Sequence, residues 1–95
     1  MILEVATLDV RKGTNDSFED DFHVAEKLIS SIPGYFSHEL HRCIENPGRY
    51  ILLVRWESLE AHTIGFRQSA QYQEWKKLLH HYYDPFPSVE HYQKV

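Results

Sequence analysis

The stretch Arg49 to Trp56, RYILLVRW, limits the possible folds more than any other. In an extended chain Tyr50, Leu52, Val54 and Trp56 point to one side. Ile51 and Leu53 point to the other, with Arg55 closing that row. A strand with one solvated face alternates apolar and polar residues. This one does not, so each of its faces has to be covered. Glu57 then makes a corner, and Ser58 opens a helix that carries His62.

The remaining elements arrange themselves around that strand. Residues 2–10 form a first strand, again apolar on much of both faces (Ile2, Leu3, Val5, Ala6, Leu8, Val10). After the Lys12–Asn15 loop, Ser17 or Asn15 is expected to cap a helix with Glu19, Asp20 and Asp21 in its first turn. Phe18, Phe22, Ala25, Ile29 and Ile32 recur at helical spacing, and Pro33-Gly34 is expected to stop the helix. A second strand spans 35–45, with Phe36, His38, Leu40, Arg42 and Ile44 on one face and Tyr35, Ser37, Glu39, His41 and Cys43 on the other. Asn46-Pro47-Gly48 reads as a tight turn into the third strand. Ser58 caps a short helix to about Phe66, and Ser69 caps another to about Tyr83 with Tyr72, Trp75, Leu79 and Tyr82 on one stripe. Pro85 and Pro87 end it, and residues 88–95 form a last strand. The order β-α-β-β-α(α)-β predicts an α+β, ferredoxin-like split βαβ fold: a four-stranded antiparallel sheet with helices on one face, in one domain over 1–95. The opposite face keeps Leu, Ile and Val side chains bare, which predicts a homodimer packed sheet to sheet. Which row of the third strand meets the helices is left open.

Composition excludes several classes. A net charge of -4 with no Lys/Arg cluster argues against a nucleic-acid partner. The single cysteine, Cys43, rules out an internal disulfide and fits a reducing compartment. No run approaches the ~20 apolar residues of a membrane span. The start MILEVATLDV has no basic flank or cleavage pattern, so it reads as a strand and not a signal peptide. A soluble, cytoplasmic protein without a membrane partner is the simplest expectation.

Chemistry has few candidates. His38 and His41 face opposite ways on a strand, and His80 and His81 diverge on a helix, so neither pair chelates a metal. There is no activated nucleophile and no glycine-rich phosphate loop. His62 stands out, because Phe66 lies one turn later on the same face and Tyr72 and Trp75 follow on the next helix. A polar group among aromatics is what a pocket for an aromatic ligand needs. The alternative is that His62 caps or packs against the sheet and the aromatics are plain core.

Three stretches, RYILLVRWESLEAH, GFRQSAQYQEWKKLL and YDPFPSVEHYQKV, together with the length and element order, resemble the antibiotic biosynthesis monooxygenase (ABM) domain family. The resemblance covers nearly all of the chain and includes the passage Trp56-Glu57-Ser58-Leu59-Glu60-Ala61-His62. It implies a homodimeric α/β barrel with a ligand pocket between the helices and the sheet of each subunit. The family's oxygenating members oxidise phenolic or quinol-type aromatics with dioxygen and need no metal or flavin. A deprotonated hydroxyaromatic reduces dioxygen by itself, so the protein has only to bind it, stabilise the anion and exclude water.

Residue by residue the resemblance is partial. Where the polyketide-type oxygenases carry Asn, Trp and Tyr, this chain has His62, Phe66 and Tyr72, and their Arg has no counterpart near Asp84-Pro85-Phe86-Pro87. The haem-degrading branch uses Asn on the first strand, Trp where Phe66 stands, and an iron-binding His near the position of Lys76; none of the three is present. The expected function is therefore a cofactor-independent monooxygenase acting on a small hydrophobic aromatic of quinol or polyketide type. His62 would be base or donor and Tyr72 donor to the substrate oxygen. Phe66 and Trp75 would be walls, and His38 and His91 further ligand contacts. The competing readings are a non-catalytic ligand-binding or stress-related dimeric barrel and, behind it, a haem-binding protein.

Overall fold

Alternation along two strands organises the structure, a computed structural model that describes residues 1–95. β1 (Ile2–Asp9) and β3 (Arg49–Trp56) form the centre of a four-stranded sheet, flanked by β2 (Tyr35–Arg42) and β4 (Ser88–Gln93) in the order β2-β3-β1-β4. All neighbours are antiparallel, with Ala6 opposite Leu52, Glu4 opposite His91 and His38 opposite Val54. This is the ferredoxin-like α+β arrangement. Helices α1 (Asn15–Ile29) and α2 (Ala70–Leu79) lie on one face, and a π-helical segment, Ala61–Phe66, precedes α2.

The row left open by the sequence is now assigned. Tyr50, Leu52, Val54 and Trp56 are buried under the helices together with Ala6 and Leu8 of β1. Phe18, Phe22, Ala25 and Ile29 of α1 and Trp75 and Leu79 of α2 close over them. Each buried aromatic removes roughly 150–250 Å² from water, about 4–6 kcal/mol gross at ~25 cal/mol/Å². The other row, Ile51, Leu53 and Arg55, shares the uncovered face with Leu3, Val5 and Tyr92.

Several local expectations are corrected. Thr14 takes the N-cap position of α1, but its hydroxyl donates to the Arg11 carbonyl at 2.6 Å and caps nothing. Asn15 is the first helical residue, and its amide reaches Pro47 O at 2.7 Å and Tyr50 OH at 3.0 Å. Asp16 is therefore the acidic residue of the first turn, and Glu19 to Asp21 come a turn later. The helix ends before Pro33, because the hydroxyls of Ser30 and Ser31 satisfy two of its last carbonyls, those of Lys27 and Leu28. Gly34 then turns the chain at φ +90°. β2 stops at Arg42 and not at 45, while the expected turn at Asn46-Pro47-Gly48 forms, closed by Arg49 N donating to Asn46 O at 2.9 Å. A bulge between Tyr35 and Ser37 puts Tyr35, opposite Trp56, on the helix side with His38, Leu40 and Arg42. Phe36 is expelled to solvent, 56% exposed. Val10 leaves β1 and bridges to Tyr83, α2 gives way to a single 3-10 turn at His80–Tyr82, and β4 ends at Gln93.

Candidate active site

Between the sheet and the two later helical segments lies a cavity of about 290 Å³. Ala6 and Leu52, on the inward rows of β1 and β3, contribute to its floor. Phe66, Tyr72 and Trp75 form an aromatic wall, with Tyr72 and Trp75 meeting the Phe66 ring nearly edge-on at 5.1 and 5.5 Å. The wall is placed by two local devices. Ser58 Oγ accepts from Ala61 N and Ser69 Oγ from Tyr72 N, so both expected caps form. Between them, Arg67 N donates to His62 O five residues back, the wide turn of a π-helix. That turn brings His62 and Phe66 to the same side, rings 6.2 Å apart and nearly parallel.

The polar end of the cavity is a buried chain of three side chains. His62 is 3% exposed and stacks on Trp56 at 5.2 Å. Its Nδ1 is 2.7 Å from His91 Nε2, and its Nε2 faces Glu4 Oε1 at 3.4 Å. Glu4, 5% exposed, also accepts from Trp56 Nε1 at 2.9 Å through Oε1. Its Oε2 makes no hydrogen bond within the chain, yet no fully enclosed side-chain oxygen or nitrogen lacks a partner. Oε2 therefore opens onto the cavity that Glu4 lines. Burial pushes the Glu4 carboxyl up to about 7, against the smaller opposing pull of Trp56 and Arg67. Burial first, then the Arg67 and His91 charges, hold His62 down at about 3, so its imidazole is neutral at physiological pH. His91, on the sheet edge, is lowered by burial and by Arg67.

The aromatic end carries phenols. Tyr83 lines the cavity, and burial, then the neighbouring Tyr72 phenol, raise its hydroxyl well above the usual range. It is held there by main-chain bonds from Arg11 N to Tyr82 O and from Asp84 N to Asp9 O, both 2.8 Å. His80 packs against Tyr72 at 6.0 Å, its basicity lowered by burial and by Lys76.

Of the residues singled out from the sequence, the structure brings together His62, Phe66, Tyr72 and Trp75 around the cavity, with His91 directly behind His62. It does not bring His38 there. His38 sits on β2 beneath α1, in a separate hollow, bonded to Tyr35 OH and 3.7 Å from Glu26. The cavity lies over β1, β3 and β4 and takes no residue from β2. Sequence reasoning misses Glu4 and Tyr83. Glu4 has a signal: a carboxylate in the same row as Ala6 and Leu8 on a central strand. Tyr83 has none, since it lies past the helix and its position depends on pairing with Val10.

The chain has relatives in sequence and in fold. The YczJ protein of Bacillus subtilis (strain 168) is 52% identical over 95 residues, covering 100% of both chains. A Bordetella bronchiseptica structure, named as a candidate antibiotic biosynthesis monooxygenase, is 41% identical with a TM-score of 0.95, over 99% of this chain and 96% of that one. A structure of SnoaB from Streptomyces nogalater, a cofactor-independent oxygenase, shares the fold at 15% identity and a TM-score of 0.82, over 98% and 91% of the two chains. The family model for antibiotic biosynthesis monooxygenase matches residues 1–78, from β1 with Glu4 through the His62 turn to the aromatic wall of α2, and the chain belongs to that family.

Proposed function

We propose that this protein is a cofactor-independent monooxygenase acting on a small hydroxyaromatic. The observation that carries this reading is one cavity that joins an aromatic wall to a buried carboxyl–imidazole pair. The wall supplies apolar and edge-on aromatic contact for a flat ring, and Tyr72 donates to the substrate oxygen. The pair at the other end handles the proton whose loss turns the bound ring into a reductant for dioxygen, with His62 as the neutral imidazole. Phe66 and Trp75 exclude water from the anion. Size narrows the ligand. An apolar cavity of ~150 Å³ accepts benzene, so about 290 Å³ fits one substituted ring or two fused rings.

The bare sheet face supports a homodimer. Leu3, Val5, Ile51, Leu53 and Tyr92 make a half-exposed apolar strip bordered by the Arg55–Glu39 ion pair at 3.2 Å. A second copy laid sheet to sheet covers it.

Dioxygen uptake by metal-stripped protein, measured over a panel of one- and two-ring hydroquinones, tests the function. Uptake above the buffer rate that falls in Trp75→Ala is expected. Uptake equal to buffer across the panel leaves a protein that only binds its ligand.

A further inference from the structure

His62 Nδ1 is bonded to His91 Nε2, and its Nε2 lies 3.4 Å from Glu4 Oε1, the oxygen that also accepts from Trp56 Nε1. At this end of the cavity the Oε2 of Glu4 is the carboxylate oxygen left free for a ligand. We propose that Glu4 is the proton acceptor of the reaction and that His62 and His91 connect it to solvent as a relay. The relay rests on the reading above for the class of ligand, a hydroxyaromatic or its keto tautomer, but not for the dioxygen step.

The atoms allow the transfer in order. The bound carbon or oxygen acid gives its proton to the Glu4 carboxylate. The proton arrives on Oε2, and rotation of the carboxyl about Cγ–Cδ carries that O–H to the place of Oε1, which stands 3.4 Å from His62 Nε2. When Nε2 takes that proton, Nδ1 releases its own across 2.7 Å to His91 Nε2. His91 stands on the edge strand β4, and its Nδ1 makes no hydrogen bond within the chain, so the cation formed there loses its proton to water. Both rings end in the opposite tautomer, ready to run the sequence backwards. The chemistry calls for that return. A CH2 or its enol plus dioxygen gives a carbonyl plus water, with no net proton gained or lost. The proton removed before dioxygen adds is the one required when the peroxide anion is protonated and loses water. Arg67 is the cation that bears on all three groups; it favours the Glu4 carboxylate and opposes a lasting charge on either imidazole. Trp56 Nε1 holds Oε1, which leaves Oε2 as the oxygen presented to ligand.

The test is hydrogen–deuterium exchange at the acidic carbon of β-tetralone, a two-ring carbon acid, in deuterated buffer under nitrogen. Wild-type protein is expected to accelerate exchange above buffer. Glu4→Gln, which keeps an acceptor for Trp56, should lose on the order of 100-fold or more. His91→Ala, at the strand edge, should slow exchange by about tenfold, less than loss of the direct base, and free imidazole should restore it while tryptophan quenching by the ligand stays unchanged. Wild-type protein without exchange, a folded Glu4→Gln that exchanges normally, or a His91→Ala that is unimpaired or not rescued by imidazole overturns the relay. If Glu4→Gln does not fold, His91→Ala decides alone. Exchange without dioxygen uptake removes only the oxygenase reading. Dioxygen uptake that survives in Glu4→Gln removes only the relay.

Discussion

Replacing Glu4 by Gln should change how stability depends on pH, and the size of the change follows from its burial. The carboxyl moves from 4.5 in the unfolded chain to about 7 in the folded one. A folded-state value raised in this way stabilises relative to higher pH: the contribution is whole below 4.5 and is lost as pH rises through about 7. Over that window the loss is about 3 kcal/mol, at 1.36 kcal/mol per unit. His62 works in the other sense. Its value falls from 6.5 to about 3, so its contribution is whole above 6.5 and is lost as pH falls through about 3. Between 4.5 and 6.5 the unfolded pair holds its one proton on His62 and the folded pair holds it on Glu4, so the two slopes cancel in wild type. Glu4→Gln keeps an acceptor for Trp56 but removes one of the two contributions. Urea denaturation of both proteins from pH 4.5 to 8 reads the difference directly. The variant should gain about 3 kcal/mol on wild type between the acid and alkaline ends of that range. Parallel curves, constant to within about 0.5 kcal/mol, would refute a buried, proton-holding Glu4.

Three further outcomes are expected. Tyr72→Phe removes one donor and should lower kcat/KM about 3- to 10-fold, the worth of one hydrogen bond, with the melting temperature unchanged. Gly34→Ala should cost roughly 1–3 kcal/mol, because a Cβ there would stand 2.7 Å from Ala61 Cβ at φ +90°. Gly13→Ala, at φ +81° but with open space around it, should cost less in the same denaturation assay. Ile51→Lys on the bare sheet face should convert a dimer to a monomer by light scattering while leaving the fold's circular dichroism intact. A wild type that is already monomeric at micromolar concentration would remove the dimer.

Much of the frame is legible because it depends on local period. The Phe18, Phe22, Ala25, Ile29 row is buried as its spacing predicts, and the two rows of the third strand part by alternation, although only the structure shows that the Tyr50 to Trp56 row is the one under the helices. The caps at Ser58 and Ser69 form for a similarly local reason. What is not legible depends on one extra residue or on a distant partner. The bulge at Phe36 reverses the faces of Tyr35 and Phe36, and no pattern in YFSHELHR marks it. His38 looks equivalent to His91 in sequence, but α1 covers β2 while the cavity lies beside β4. Glu4 stands 52 residues before Trp56, which holds it, and His62 stands 29 residues before His91. Only the strand order β3-β1-β4 brings these groups to one end of a cavity.

The central claim is that the cavity oxygenates its ligand with an atom of dioxygen and no bound metal or flavin. Isotopically labelled dioxygen, supplied to metal-stripped protein with naphthohydroquinone or its one-ring analogue, tests this most directly. One labelled oxygen should enter the product, formed above the buffer rate and lost in Glu4→Gln. Product without label, or label appearing at the buffer rate, would contradict the claim.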